Sequence, residues 1–292
     1  MRALVDPGAL LHHLADGCTW AEGPVYLAES DTVLWSDVRS NRRMRLEVTT
    51  GTVTEADRPA NFCNGHTLDL LGSVIACEHG TRSVVRLAAD GSREVVADRF
   101  DGKRFNSPND VVVSGDGSVW FTDPTYGIDS DDEGHAADSE IGSNNVYRVD
   151  AVTGDVTAEV TDMVQPNGLA FSLDERSLYV SDTGVSHVDG GPRHLRCFDV
   201  SGGRVVGGGL VVATCPEGVF DGFRLDADGR IWASGRQGVH CYEPDGTLLG
   251  TIRLPEVCAN LVFGGDDRST LFMTADTSLY SLRVRVRGAD AP

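Results

Sequence analysis

The amino-acid sequence predicts an all-β fold, a single six-bladed β-propeller that spans residues 1–292. Three observations predict it: one strand–turn–strand phrase recurs six times, its copies lie about 47 residues apart, and helical periodicity is nearly absent. That spacing suits a blade of four strands. A closed ring of blades also hides the sheet edges that a chain of many short strands would otherwise expose.

Each copy of the phrase consists of an apolar strand, a turn containing Asp, Gly or Arg, and a second strand that ends in an aromatic residue plus Ser, Thr or Ala. The copies at Tyr26–Asp37 and Leu68–Cys77 are degenerate. The clearest copies are VVVSGDGSVWFTD at Val111–Asp123 and FRLDADGRIWAS at Phe223–Ser234. A second hairpin follows each phrase, which gives four strands per blade. The segment around Leu10–Ala15 is predicted to add a strand to the last blade and close the ring. The landmark residues of the six copies are Trp35, Ile75, Trp120, Tyr179, Trp232 and Phe272.

Composition and charge exclude several classes of function. Hydrophobic residues make up 40% of the chain, enough for a sizeable core, and the formal net charge of −19 disfavours nucleic-acid binding. No apolar stretch approaches the roughly 18 residues of a membrane span, and the N-terminus lacks a signal-peptide pattern. The seven scattered cysteines argue against a disulfide framework. We therefore expect a cytoplasmic protein that binds neither nucleic acid nor membrane; the sequence carries no signal of oligomeric state.

Polar clusters stand at the start of four repeat phrases, at or just before the first strand of the blade. Innermost strands line the channel of a propeller, so equivalent positions in different blades converge on one point. Two carboxylates and two amides would meet there, and such oxygen donors suit one divalent cation, with Ca²⁺ as the first choice and Zn²⁺ or Mn²⁺ as alternatives. Each cluster alone also reads as an ordinary turn, so the interpretation depends on their joint recurrence. The clusters are Glu22-Gly23-Pro24, Ser107-Pro108-Asn109-Asp110, Gln165-Pro166-Asn167-Gly168 and Phe220-Asp221-Gly222.

At these residues the chain resembles the gluconolactonase/regucalcin-like family, also called the senescence-marker-protein family. The resemblance covers nearly the whole chain, from Trp20 to about Leu282. The motifs that carry it are Ala21-Glu22-Gly23-Pro24-Val25-Tyr26, Cys77-Glu78-His79-Gly80, Ser107-Pro108-Asn109-Asp110, Thr122-Asp123-Pro124, Pro166-Asn167-Gly168-Leu169 and Asp221-Gly222-Phe223.

The resemblance implies a propeller that hydrolyses a small sugar lactone to the aldonic acid with one divalent metal ion. It implies that Glu22, Asn167 and Asp221 ligate the metal and that Asn109 lies beside it. One departure is that Phe220 precedes Asp221, where the family often has Pro. Pro216-Glu217-Gly218 offers a competing alignment, but Asp221 keeps the following strand in register with the repeat.

The expected chemistry assigns further roles. Asp221 is predicted to accept the proton of the attacking water, with Asn109 as the second catalytic residue. Asn109, Arg104, His79 and Asn64 are the candidates for binding substrate. As alternatives to substrate binding, His79 could have a structural or hydrogen-bonding role, and Arg104 could be an ordinary surface arginine. Asp182 is a further pore candidate.

Two long loops, 127–144 and 183–194, interrupt the repeat. The first is acidic and is expected to be mobile. Both read either as solvated surface or as a lid over the pore.

Two other functions remain open at this stage. One keeps the metal site and changes the substrate to another ester or a phosphotriester. The other is a non-catalytic calcium-binding propeller, since fold alone does not fix function. The sequence contains neither a Gly-x-Ser-x-Gly elbow nor a His-Glu-x-x-His motif. The four recurring oxygen donors favour metal-dependent hydrolysis.

Overall fold

A computed structural model describes residues 1, 3–88 and 91–289, and the regular secondary structure of these residues is almost entirely β. Helical structure is limited to α1 (Tyr126–Asp129) and two single 3₁₀ turns at Ala28–Ser30 and Gly184–Ser186. None of these helices is long and apolar enough to cross a membrane. In chain order the strands are β1 (His12–Ala15), β2 (Ala21–Leu27), β3 (Thr32–Asp37), β4 (Arg42–Glu47), β5 (Thr52–Asp57), β6 (Cys63–Leu68), β7 (Val74–Glu78), β8 (Ser83–Leu87), β9 (Arg93–Ala97), β10 (Arg99–Phe100), β11 (Lys103–Arg104), β12 (Val111–Val113), β13 (Val119–Asp123), β14 (Asn145–Val149), β15 (Val156–Val160), β16 (Pro166–Phe171), β17 (Ser177–Asp182), β18 (His194–Ser201), β19 (Arg204–Thr214), β20 (Phe223–Leu225), β21 (Ile231–Gly235), β22 (Gly238–Tyr242), β23 (Leu248–Arg253), β24 (Cys258–Gly264), β25 (Thr270–Ala275) and β26 (Ser278–Arg283).

Six four-stranded antiparallel sheets form the blades of a propeller, which confirms the predicted fold. Blades one to five are β2–β5, β6–β9, β12–β15, β16–β19 and β20–β23. Blade six combines β24, β25 and β26 with the N-terminal strand β1, where His13 pairs with Tyr280. The predicted ring closure is therefore confirmed. The small β10–β11 hairpin connects blades two and three.

Burial falls from the channel outward within each blade. The second strand of blade one, β3, is buried at every position, whereas the outermost strand β5 is almost wholly exposed. Inner strands have a neighbouring blade on each face, which explains why they read as continuous apolar runs rather than as alternating patterns. The predicted landmark residues all lie on the second strands of their blades and are at most 6% exposed.

The core consists of layers between adjacent blades. One cluster joins Ile75 of blade two to Phe121 and Tyr147 of blade three, and another joins Trp35 of blade one to Phe272 of blade six. Burying one such large apolar side chain contributes on the order of 2 kcal/mol. All seven cysteines are free, and six of them are buried. This packing holds the inner ends of the first strands at fixed positions around the axis.

Candidate active site

The first strands of four blades break their pairing register at the same place. The breaks lie between Glu22 and Val25, between Cys63 and His66, between Pro166 and Leu169, and between Cys258 and Asn260. A bulge of this kind turns a side chain away from the regular pleat. In blades three and five the first strand begins just beyond the equivalent position. The local backbone is therefore irregular wherever the sequence places a polar cluster.

The side chains at these positions converge on a cavity of about 320 Å³ at one mouth of the channel. Five residues predicted to bind metal or substrate line it, namely Glu22, Asn64, Asn109, Asn167 and Asp221. They come from blades one to five, one residue from each. By its position in the repeat, Ala259 is the sixth member, so blade six contributes no polar side chain to this ring. We call the five polar residues the donor ring.

The carboxylate of Glu22 is held from one side. Its Oε2 accepts hydrogen bonds from the backbone N–H of Gly23 at 2.6 Å and from Nδ2 of Asn260 at 3.2 Å. Both contacts engage Oε2, and neither engages Oε1. Burial raises the pKa of Glu22 well above its usual value, and the charge of Asp221 raises it further.

Asp221 is the second acid of the donor ring. Burial raises its pKa to about 7, with further contributions from the charges of Asp110 and Glu133, while side-chain hydrogen bonds with Glu22 and Asn167 oppose the shift. Two ionised carboxylates in a shared pocket repel each other, and a cation between them removes that repulsion. The raised pKa values of Glu22 and Asp221 thus fit a bound cation.

The donor ring offers carboxylate and amide oxygens, the ligand types that hard divalent cations prefer. Within residues 1, 3–88 and 91–289 there is no cluster of three or more His, Cys, Asp and Glu side chains suited to hold a metal. An ion bound here would therefore rely on amide oxygens beside the two carboxylates, as Ca²⁺ commonly does. The thiol of Cys258 also lines the cavity, but burial raises its pKa well above the usual value, which disfavours a thiolate ligand.

His79 lies behind the donor ring rather than in the cavity. The His79 imidazole is fully buried, and burial lowers its pKa, so the neutral form of the imidazole is favoured. Its Nδ1 lies 2.9 Å from the carbonyl oxygen of Glu133 and its Nε2 lies 3.3 Å from Nδ2 of Asn64. Since a carbonyl can only accept, Nδ1 carries the proton and Asn64 donates to Nε2. His79 thus orients the Asn64 amide and leaves its Oδ1 for the cavity.

The structure keeps three other sequence candidates out of the cavity. Arg104 is exposed on β11, where Nη2 donates to the carbonyl of Thr81 at 3.0 Å, because the β10–β11 hairpin carries it away from the axis. The carboxylate of Asp182 accepts backbone hydrogen bonds from Val164 and Gln165. Glu217, from the competing alignment, pairs with an arginine at the rim instead of joining the donor ring.

A layer of glycines lies directly beneath the donor ring. The residues that follow the ring members are Gly23, Gly65, Asp110, Gly168 and Gly222, with Asn260 in blade six. A Cβ on Gly222 would lie 2.0 Å from Cγ of Asn260, and one on Gly65 would lie 2.6 Å from Oδ1 of Asp110. The glycines therefore make room for two side chains that occupy the channel. We call Asp110 and Asn260 the channel floor.

Arg224 supports the channel floor from the opposite side. Its Nη1 lies 3.7 Å from Oδ2 of Asp110, an oxygen that is buried and has no hydrogen-bond partner among the described residues. Burial raises the pKa of Asp110, and Arg224 opposes that shift. A larger cavity of about 510 Å³ opens beyond Arg224 at the other mouth, and it contains none of the predicted metal or substrate residues.

The loop 127–144 folds over the donor ring. Tyr126, at its base, and Glu133, within it, line the cavity. The loop follows a defined path in the structure and makes specific contacts. Among them, Ser139 donates to Oδ1 of Asn106 at 2.6 Å, and His135 packs edge-on against Phe62. This loop is therefore placed as a lid.

The loop 183–194 braces the lid without lining the cavity. The hydroxyl of Tyr126 lies 2.7 Å from Oγ1 of Thr183 and 2.8 Å from Oγ of Ser186. Nε2 of His187 lies 2.7 Å from Oδ2 of Asp129. The two loops thus hold each other over one mouth of the propeller.

Sequence reasoning did not identify Asn260, Glu133 or Tyr126. Asn260 stands where Gly23, Gly65, Gly168 and Gly222 stand in other blades, and it follows Ala259 rather than a polar residue, so blade six lacks the polar cluster that marks the other blades. Glu133 is one of several acids in an irregular loop, and only the folded chain brings it to the cavity. Tyr126 follows the Thr122-Asp123-Pro124 motif closely, and that proximity was the one available signal.

Comparisons with known proteins show the family of the chain. The family model described as "SMP-30/Gluconolactonase/LRE-like region" matches residues 20–277. A gluconolactonase of Zymomonas mobilis is 28% identical, with 98% of this chain and 84% of that protein covered. The pentonolactonase XacC of Haloferax volcanii is 29% identical over 88% of this chain and 81% of its own. The solved structure of a gluconolactonase from Xanthomonas campestris is 35% identical and has a TM-score of 0.89. The match covers 97% of this chain and 91% of that protein. The chain therefore belongs to the SMP-30/gluconolactonase/LRE-like family.

Proposed function

We propose that this protein hydrolyses a sugar lactone to the corresponding aldonic acid and that it does so with one divalent metal ion, Ca²⁺ being the first choice. The observation that carries the proposal is the donor ring, in which two carboxylates and three amides meet at the covered mouth of the channel. Family relatives named as lactone hydrolases support the reaction class.

Glu22, Asn167 and Asp221 would hold the ion. When bound, it supplies stabilisation of the negative charge that develops on the lactone carbonyl oxygen. Glu22 presents Oε1, because its other oxygen is engaged by Gly23 and Asn260. Asn167 and Asp221 face it from blades four and five.

The remaining steps belong to side chains of the chain itself. A water molecule attacks the carbonyl carbon, and the carboxylate of Asp221 accepts its proton. The bond from the carbonyl carbon to the ring oxygen then breaks, and that oxygen takes up the proton that Asp221 accepted, which yields the free hydroxyl of the aldonic acid and restores the Asp221 carboxylate. The side-chain amide of Asn109 lines the cavity and has no hydrogen-bond partner among the described residues. It is therefore available to donate a hydrogen bond to the substrate. The lid of residues 127–144 limits the access of bulk water.

The test is proton release from a panel of neutral aldonolactones by metal-stripped protein, alone and with Ca²⁺, Zn²⁺ or Mn²⁺. We expect turnover only with metal, and a rise in melting temperature on adding that metal. Asp221→Asn and Glu22→Gln should lose both the turnover and the metal-dependent rise. Glu175→Gln is the matched control, because Glu175 lies at the opposite mouth and bonds to the backbone of Gly115.

The panel also separates the competing functions. Hydrolysis of a phosphotriester or an open-chain ester, without hydrolysis of any lactone, would replace the proposed substrate and keep the site. A metal-dependent rise in melting temperature without turnover of any ester would indicate a non-catalytic cation-binding propeller.

A further inference from the structure

The charged side chains at the cavity mouth are arranged as two ion pairs. Nη2 of Arg39 lies 2.8 Å from Oε1 of Glu133, and Nε of Arg236 lies 3.1 Å from Oε1 of Glu217. Both arginines line the cavity, and Arg39 also packs over the ring of Trp20 at 5.2 Å. The cations that a ligand could meet there are therefore already engaged by carboxylates.

Glu133 is the most firmly placed of these carboxylates. Its side chain is only 17% exposed, whereas that of Glu217 is 52% exposed. Its backbone carbonyl accepts a hydrogen bond from His79, and the same imidazole orients Asn64 of the donor ring. The lid thus delivers a carboxylate to the reaction centre at a defined position.

The charge balance of the cavity disfavours an anionic ligand. Glu22 and Asp221 carry the two charges that a divalent ion would neutralise, and Glu133 adds a third. The arginines that line the described cavity, Arg39 and Arg236, each have a carboxylate partner. A phosphate, sulfonate or carboxylate on the ligand would have to displace one of these partners or lie against it. Two like charges held next to each other at a binding surface cost about 2 to 4 kcal/mol.

An uncharged polyol meets the opposite situation. A hydroxyl group can donate to the free oxygen of Glu133 and accept from the guanidinium of Arg39 without breaking the ion pair. Hydrogen bonds to charged groups are the stronger class, worth about 1.5 to 3 kcal/mol each. The pair is therefore suited to recognise hydroxyl groups.

We propose that Glu133 is a specificity-determining residue that accepts a hydrogen bond from a hydroxyl of an uncharged polyhydroxylated lactone, and that the Arg39–Glu133 pair rejects lactones bearing an anionic group. This inference rests on the proposed function, and it narrows the substrate class to neutral sugar lactones. Glu133 acts on binding and selectivity, while the donor ring performs the chemistry.

The test compares glucono-1,5-lactone with its 6-phosphate on the metal-loaded protein. We expect kcat/KM of the wild type to be about 100-fold higher for the neutral lactone. Glu133→Gln should raise KM for the neutral lactone about tenfold with kcat nearly unchanged, and should raise kcat/KM for the phosphorylated one. Arg39→Gln should act in the opposite direction on the phosphorylated lactone, because it leaves Glu133 unpaired.

Glu140→Gln is the matched control within the same loop. The carboxylate of Glu140 accepts a hydrogen bond from the backbone N–H of Arg104 and lies outside the cavity, so its replacement should leave both substrates unaffected. Opposite effects of the Glu133 and Arg39 variants would support the proposal, since misfolding would weaken both activities alike.

Three results would overturn it. If the wild type hydrolyses the phosphorylated lactone as well as the neutral one, the selectivity proposal fails while the proposed function stands. If Glu133→Gln changes both substrates by the same factor, Glu133 does not set selectivity. A wild type that hydrolyses neither of these lactones nor any other member of the aldonolactone panel defeats the proposed function and this inference together.

Discussion

Asn260 donates a hydrogen bond through Nδ2 to Oε2 of Glu22 at 3.2 Å, although the two residues are 238 positions apart in the chain. Oδ1 of Asn260 accepts the backbone N–H of Leu261 at 2.8 Å, which fixes the orientation of the amide. The last blade therefore orients a carboxylate of the first. This contact crosses the seam where the ring closes.

The first prediction concerns that contact. Asn260→Ala frees the Glu22 carboxylate to rotate, and we expect metal affinity to fall about 10- to 100-fold, as is typical when a residue that orients a ligand is lost. Isothermal titration of the metal-stripped protein measures it. Asn145→Ala is the control, because Asn145 is equally buried but bonds to Tyr147 within blade three. Equal losses of affinity in the two variants would show that Asn260 has no special role.

The second prediction concerns stability against pH. Burial lowers the pKa of His66 to about 3, against 6.5 in an unfolded chain. Between these values the unfolded state binds a proton that the folded state does not. The contribution is therefore complete above about pH 6.5 and is lost as pH falls toward 3, by about 1.4 kcal/mol per pH unit.

Urea unfolding at about pH 5, 6 and 7 measures this slope. His66→Asn should flatten it, because asparagine does not titrate and its amide can still donate toward the carbonyl of Gly23 that His66 contacts at 2.7 Å. Parallel stability curves for the wild type and the variant would contradict the assignment.

The third prediction uses two equivalent tryptophans of the repeat. Nε1 of Trp232 donates to Oδ2 of Asp226 at 3.0 Å, whereas Nε1 of Trp120 is buried without a hydrogen-bond partner among the described residues. Both rings are at most 1% exposed, so replacement by Phe removes a similar apolar volume from each. We expect Trp232→Phe to lower the free energy of unfolding by about 1.5 to 3 kcal/mol more than Trp120→Phe. Chemical denaturation of both variants decides it, and equal losses would contradict it.

The fourth prediction concerns ring closure. Deleting residues 1–15 removes β1 and leaves the edge of β26 unpaired, and an unpaired edge favours aggregation. We expect a lower denaturation midpoint and concentration-dependent oligomers in size-exclusion chromatography. Leu10→Ser is the control, since Leu10 is 71% exposed and lies just before the strand. A truncated chain that stays monomeric with an unchanged midpoint would show that β1 is dispensable.

Much of the fold could be predicted because each blade repeats one phrase. Trp35, Trp120 and Trp232 mark the same strand of three blades, and the repeat phase then aligns Glu22 with Asp221 at one end of the axis. Periodicity carries this information, because equivalent residues in a ring occupy equivalent places.

The rest of the site could not be predicted because it breaks the repeat. Glu133 reaches the cavity through a loop whose path depends on contacts with Phe62, His79 and Arg39, none of which is near it in sequence. Arg104 illustrates the converse error: it stands three residues before Ser107, yet a two-residue hairpin strand directs its guanidinium elsewhere.

The channel floor closes the central channel of the propeller between its two mouths. Asp110 and Asn260 are buried to within 2% of full burial, and the cavities on either side of them share no lining residue in the described chain. The channel is therefore closed between its two mouths. In the proposed reaction, substrate would enter and product would leave through the mouth beneath the lid. The product would have to leave this cavity before the next substrate molecule could bind, so product and substrate would compete for the same opening.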